Sequence, residues 1–167
     1  MRKKTLRNIL VWAAAALMML SFAAAYGCAG TEAASATEAQ WSITIKAADG
    51  TTAEFTNEDA GAIEMVEVTA ELEKKDGSTT EENWMGIPLA MVLESAGIDD
   101  YNMVSVAASD GYSQEYDAAA IDDPETILGF FKDGQEVSAD DGLVQLVVPS
   151  MAGMFWIKNV AQIEVLE

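Results

Sequence analysis

From Trp41 onward the chain is a succession of short alternations broken by polar turns. In WSITIKAADGTTAEFT, apolar Trp41, Ile43 and Ile45 alternate with polar residues, Asp49 and Gly50 supply a turn, and Thr51 to Phe55 return, which predicts a hairpin. Asn57 stands where it would cap a short helical turn. MVEVTAELEKKDGSTTEENW alternates strictly, Val66, Val68, Ala70 and Leu72 against Glu67, Thr69, Glu71 and Glu73, so one face is buried and one is wet. Lys75, Asp76 and Gly77 mark the turn that sends this strand back toward Trp84. The period changes in GIPLAMVLESAGI: Leu89, Val92, Leu93 and Ala96 fall at helical spacing, Pro88 suits a first helical position and Gly97 ends the turn. MVSVAASDGYSQEYD predicts two short strands around Asp110 and Gly111, and Asp123 with Pro124 predicts a second helix through Phe131, stopped at Asp133 and Gly134. The tail LVQLVVPSMAGMFWIKNVAQIEVLE predicts two final strands, with pairing lapsing at Pro149, which has no N–H to donate. Six or more strands, two or three short helices and no regular β-α alternation predict an α+β fold on a mostly antiparallel or mixed β-sheet.

The first forty residues follow another logic. Arg2, Lys3, Lys4 and Arg7 precede an uncharged run from Ile9 to Ala25 that ends in small residues, the layout of a secretory signal peptide. The run is about 17 residues, short for a membrane span, so a retained anchor is the rival reading. Cys28 is the only cysteine. Following Ala25, Tyr26 and Gly27, it resembles the lipidated cysteine of a bacterial lipoprotein, which would make residues 1–27 the signal peptide and Cys28 the lipidated N-terminus; a plain signal peptide with a free thiol is the alternative. Acyl chains add roughly 0.8 kcal/mol of anchoring per buried CH₂. AGTEAASATEAQ is small, polar and without apolar period, so residues 28–40 read as a tether that spans on the order of 20 Å as a flexible coil. Residues 41–167 are long enough for one domain with its own core. The expected address is the extracytoplasmic face of a bacterial cell membrane.

Charge then narrows the partners. The chain carries 28 acidic residues against nine basic ones, and outside the leader the bases reduce to Lys46, Lys74, Lys75, Lys132 and Lys158. A surface so negative repels phosphate backbones, so nucleic acid is excluded as a partner; solubility alone accounts for such a charge, while a cation or basic protein surface would be attracted. Histidine is absent. A Ser-His-Asp triad, a Cys-His nucleophile, the usual zinc sites and a disulfide framework go with it and with the missing cysteines. Carboxylate chemistry remains open, yet the acidic clusters at Asp99 to Asn102, Asp122 to Glu125 and Ala139 to Gly142 lack the spacing of a calcium loop and stand where turns and helix starts are expected. Met151 and Met154 have a spacing that would suit copper(I), though methionines more often fill cores. No metal is expected.

Four segments in order carry a family resemblance: WMGIPLAMVLESAGI, SDGYSQEYD, LGFFKDGQEV and LVQLVVPSMAGMFWIKNVAQIEV. Together they resemble the molybdopterin-binding domain of sulfite-oxidase-like oxidoreductases over roughly Trp84 to Val165. The resemblance implies that fold and, with it, molybdopterin as cofactor. It also exposes departures. Family enzymes hold molybdenum through a cysteine on the strand before the tryptophan, and VTAELEKKDGS has none. Asp140 stands where the family often has a phosphate-gripping histidine, and Gln145 where it has an arginine. Only Lys158 persists, and one lysine does not replace a bidentate guanidinium.

The pocket implied by the resemblance would comprise Trp84, Asp110, Gly111, Tyr112, Trp156 and Lys158, with Tyr116 and Met154 as further contacts. Lys158 has a plainer reading, its stem along the sheet or Trp156 and its ammonium on a neighbouring carboxylate. The expectation is therefore a lipid-anchored binding or accessory module with no catalytic residue assigned, no cofactor expected and a small ligand or partner protein in the pocket. Two alternatives stand beside it: an oxidoreductase or redox-complex subunit that binds molybdopterin in an unusual way, and a passive acidic surface protein.

Overall fold

The computed structural model describes residues 40–73 and 76–166. The leader, Cys28 and nearly all of the tether lie outside the described residues. Strands β1 (Ser42–Lys46) and β2 (Thr52–Thr56) form the expected hairpin, with Ser42 opposite Thr56 and Lys46 opposite Thr52. Helix α1 (Asn57–Ala60) is a single turn, and its cap is Thr56 rather than Asn57. Thr56 Oγ1 accepts from the Glu58 N–H while the Asp59 carboxylate accepts the Thr56 N–H at 2.8 Å, so two orphan donors are satisfied reciprocally. The Asn57 side chain is engaged elsewhere, accepting the Gln40 N–H at 2.9 Å.

Strand β3 (Val66–Glu73) has the predicted alternation, Val68 and Ala70 buried and the glutamates exposed. It pairs with β4 (Thr79–Pro88), which runs directly into α2 (Leu89–Ser95). Pro88 is not the first helical residue: at ψ 133° it is still extended and closes the strand. Leu89, Val92 and Leu93 bury one face of α2, and Gly97 follows at φ +76°, a conformation open to glycine at little cost. Strands β5 (Met103–Ala108) and β6 (Ser113–Asp117) form the third expected hairpin, after β1–β2 and β3–β4. The Asp117 carboxylate then caps α3 (Ala118–Ile121) by accepting the Ala120 N–H at 2.9 Å.

The helix expected from Asp123 to Phe131 does not form. Asp123 makes a turn instead, accepting the Glu125 N–H through its side chain and the Thr126 N–H through its carbonyl, both at 2.9 Å. Ile127–Lys132 is strand β7, buried from Ile127 to Phe130. An unbroken apolar run suits a strand covered on both faces as well as it suits a buried helix, and periodicity cannot separate them. Strand β8 (Gln135–Glu136) folds back on β7, and a 3-10 turn at Ala139–Asp141 leads to β9 (Gln145–Val147). The rest of the tail gives two strands where one was expected, β10 (Ile157–Lys158) and β11 (Val160–Leu166). Between them Asn159 has φ +53°. That left-handed residue, tolerated best by Asn and Gly, turns the chain from one sheet into the other.

The first sheet has the order β2-β1-β11-β5-β6 and the second β10-β9-β7-β4-β3, with β8 beside β7. Among the described residues only β1 with β11 is parallel, and the other pairs are antiparallel. One apolar core draws on both sheets and α2, including Ile43, Val106 and Ile163 from the first and Ile87, Leu128 and Leu146 from the second. Each such side chain contributes roughly 1.5–3 kcal/mol when removed from water. Among the described residues no helix is long and apolar enough to cross a membrane.

Candidate functional site

The second sheet carries a row of side chains that the sequence does not display as neighbours. Lys158 on β10 lies opposite Gln145 on β9, and Gln145 lies opposite Gly129 on β7. Residues directly opposed in antiparallel strands share a face. The Trp84 ring reaches across from β4 into the space that Gly129 leaves: a Cβ at Gly129 would stand 2.7 Å from Trp84 Cε3. A register shift places Met85 opposite Phe131 but Gly86 opposite Gly129, leaving Phe130 as the extra residue of a bulge. The bulge changes the parity of β7, so Gly129 and Lys132 come to the same face although they are three apart.

On that face Lys132 Nζ meets Glu82 Oε1 at 2.6 Å and stands 5.4 Å from the centre of the Trp84 ring. Trp84 Nε1–H donates to Glu82 Oε2 at 3.2 Å. The Glu82 side chain is 7% exposed and that of Lys132 is 40% exposed. The buried carboxylate is therefore met on both oxygens by donors, which is the condition for keeping a charge there.

These groups floor a cleft of about 340 Å³, with Trp84, Lys132, Gln145 and Lys158 along its base, a size at the lower end of small-molecule sites. Its lining also includes three acidic residues, Asp133, Glu136 and Asp141. Gly142, at φ +98°, lets the turn carrying Asp141 settle on Asn159, where a Cβ would stand 2.5 Å from the Asn159 Cβ. Asp141 is thereby brought near Lys158, but only to 3.9 Å, with the side chains 62% and 66% exposed. So open a pair contributes at most about 1 kcal/mol. Gln145 differs from its neighbours. It is 6% exposed, lines the cleft, and its carboxamide makes no hydrogen bond with any described residue.

Of the residues expected to form a pocket, Trp84 and Lys158 line this cleft. Trp156 lies against it from within: its ring meets Trp84 edge-on at 6.3 Å, and its Nε1–H donates to the Val148 carbonyl at 2.8 Å. The lysine that stands over a tryptophan is Lys132 over Trp84, not Lys158 over Trp156. Asp110, Gly111 and Tyr112 are at the β5–β6 turn and are not among the cleft residues. There Asp110 Oδ1 accepts the Tyr112 N–H at 2.9 Å, Gly111 has φ +89°, and the Tyr112 hydroxyl donates to the Met154 carbonyl at 2.7 Å. Met154 is exposed beside it. Tyr116 is a core residue whose hydroxyl donates to the Phe155 carbonyl at 2.5 Å; burial, with a smaller contribution from Tyr112, pushes its pKa well above the ordinary tyrosine value. Among the described residues no group of three or more carboxylates is arranged to hold a metal ion.

Sequence reasoning placed none of Glu82, Lys132 and Asp141 in a pocket, Asp141 entering only within the acidic cluster at Ala139 to Gly142. Glu82 carried a signal, since it is two residues before the buried Trp84 on one strand and so shares its face. Lys132 and Asp141 carried none, because a bulge and a glycine contact bring them in.

No curated protein matches the chain in sequence. Among solved structures, the crystal structure of the sulfane dehydrogenase SoxCD from Paracoccus pantotrophus is similar, with a TM-score of 0.67 and 20% identity over 75% of this chain. The match spans only 38% of the SoxCD chain, and at that identity it establishes the fold. The oxidoreductase molybdopterin binding domain matches residues 29–167. With the strand order, the cleft and these matches together, the chain belongs to the oxidoreductase molybdopterin binding domain family.

Proposed function

We propose that this chain is an extracytoplasmic binding or accessory module, anchored by lipid at Cys28, that keeps the family fold and uses the cleft over Trp84, Gln145 and Lys158 to hold a small ligand without a thiolate-bound molybdenum centre. The observation that carries the reading is the donor set. The cleft offers amine, carboxamide, hydroxyl and carboxylate groups, while the one cysteine of the chain is Cys28. Molybdenum held by a soft thiolate has no counterpart among hard oxygen donors. The phosphate end of the cofactor fares no better. The Lys132 ammonium is taken by Glu82, and three acidic residues are among the lining, so an oxyanion of high charge is disfavoured.

Family membership and the likeness to a sulfane dehydrogenase favour a second reading, an oxidoreductase or redox-complex subunit that binds the pterin cofactor through contacts unlike those of its relatives. One experiment separates the two. The chain is expressed in cells that make the cofactor, purified, and assayed for molybdenum, tungsten and released pterin fluorescence. The binding-module reading expects none of the three; metal and pterin near one per chain would overturn it. The address has its own test: mass spectrometry of the membrane-extracted chain should find an acylated N-terminal Cys28, and an unmodified Cys28 thiol would overturn the lipid anchor.

A further inference from the structure

Gln145 is the oddest residue of the cleft. A carboxamide with no hydrogen-bond partner in the protein keeps its hydration only through the cleft it lines, since its donors and acceptor meet nothing else. With the residue 6% exposed and lining the cleft, a ligand there would take the place of water at these atoms. Beside it in register is Lys158, whose ammonium has, among the described residues, only the loose contact to Asp141 at 3.9 Å. The Gln145 NH₂ and the Lys158 ammonium are thus adjacent donors on the cleft floor. Asp141, Glu136 and Asp133 line the same cleft. Asp141 receives the Ser138 hydroxyl on Oδ2 at 2.7 Å, which leaves Oδ1 toward Lys158. Donors and carboxylates lining one cleft describe a ligand with both charges on one small body.

We infer that the cleft binds a small zwitterion of the α-amino acid class, its carboxylate held by Gln145 and Lys158 and its ammonium by Asp141 and the other acidic residues of the lining. The inference rests on the reading of the cleft as a ligand site and names the class of ligand. In binding, the open pair between Lys158 and Asp141 is exchanged for two pairs with the ligand in a less hydrated setting, where each charge-assisted contact is stronger than on the open surface. Phosphate esters are disfavoured by these acidic residues, and simple amines or simple carboxylates meet half the site.

The test is calorimetry and thermal shift on the full chain with the common amino acids one at a time, alongside acetate, ethylamine and orthophosphate. At least one amino acid should bind and raise the melting temperature, with acetate and ethylamine weaker by about tenfold or more. Lys158→Ala, an exposed change that leaves the core untouched, and Gln145→Glu, which sets a carboxylate against the ligand carboxylate, should each lower affinity by about tenfold or more. Binding that is unchanged in both variants overturns the assigned site. Binding of orthophosphate or of an uncharged solute with none of any amino acid overturns the ligand class while leaving the cleft a ligand site. Recovery of stoichiometric pterin-bound metal from the chain would remove the underlying reading itself and is distinguishable from both.

Discussion

Glu82 keeps a buried charge because Lys132 at 2.6 Å and the Trp84 indole N–H at 3.2 Å both reach it. Removing the cation alone leaves the carboxylate uncompensated, so Lys132→Met should lower unfolding free energy by about 3 kcal/mol in denaturant titration. Glu82→Gln in the same background should restore most of it, since the amide keeps an acceptor for Trp84 and carries no charge. Equal and additive losses in the two variants would refute the coupling. Thr126 is the opposite case, a fully buried hydroxyl without a partner. Thr126→Val removes the orphaned group at similar volume and should raise stability by about 1 kcal/mol, read from the same titration. Part of this was legible from the chain: the parity that puts Glu82 with Trp84 is visible in TEENW. The identity of its cation was not, because Lys132 is fifty positions away and reaches the same face only through the bulge.

Two glycines on facing strands decide how β4 and β7 approach. A Cβ at Gly86 would lie 2.0 Å from the Leu128 carbonyl oxygen, a backbone atom that cannot step aside. Gly86→Ala should therefore destabilise by about 3 kcal/mol or more. At Gly129 the obstruction is the Trp84 ring, which can shift. Gly129→Ala should cost less, and should change the tryptophan fluorescence of the native state because Trp84 must move off the cleft floor and away from Trp156. If Gly129→Ala proves the more damaging of the two, the stated contacts are wrong. The glycine of the WMGIP motif thus has a reason in strand approach. Hairpins and α2 were readable because their alternation or helical spacing is local. Strand β7 was not: ILGFF is apolar throughout, and whether such a run extends or coils is settled by what covers its two faces.

Across the whole molecule, alkaline pH should loosen the fold. Burial, with Asp122 hydrogen-bonded to its hydroxyl, pushes Tyr101 up to about 12, and burial raises Tyr116 further. In the unfolded chain both phenols ionise near pH 10. Between about pH 10 and 12 the native state therefore holds more protons than the unfolded one, and stability, fully present below pH 10, falls as pH rises. Denaturant midpoints measured across that window should decline, and less steeply in Tyr101→Phe and Tyr116→Phe; an unchanged slope in both would contradict the assignment. The sequence by itself determined the α+β class, the three hairpins, α2, the acidic surface and the absence of imidazole and of thiol beyond Cys28, because each follows from composition or from residues a few positions apart. Only the tertiary structure decided that the tail splits between two sheets at Asn159, that Lys132 rather than Lys158 covers a tryptophan, and that Gln145 is left unpaired in a cleft. Those outcomes depend on register, on one bulge and on where glycine permits close approach, and no local pattern in the chain encodes them.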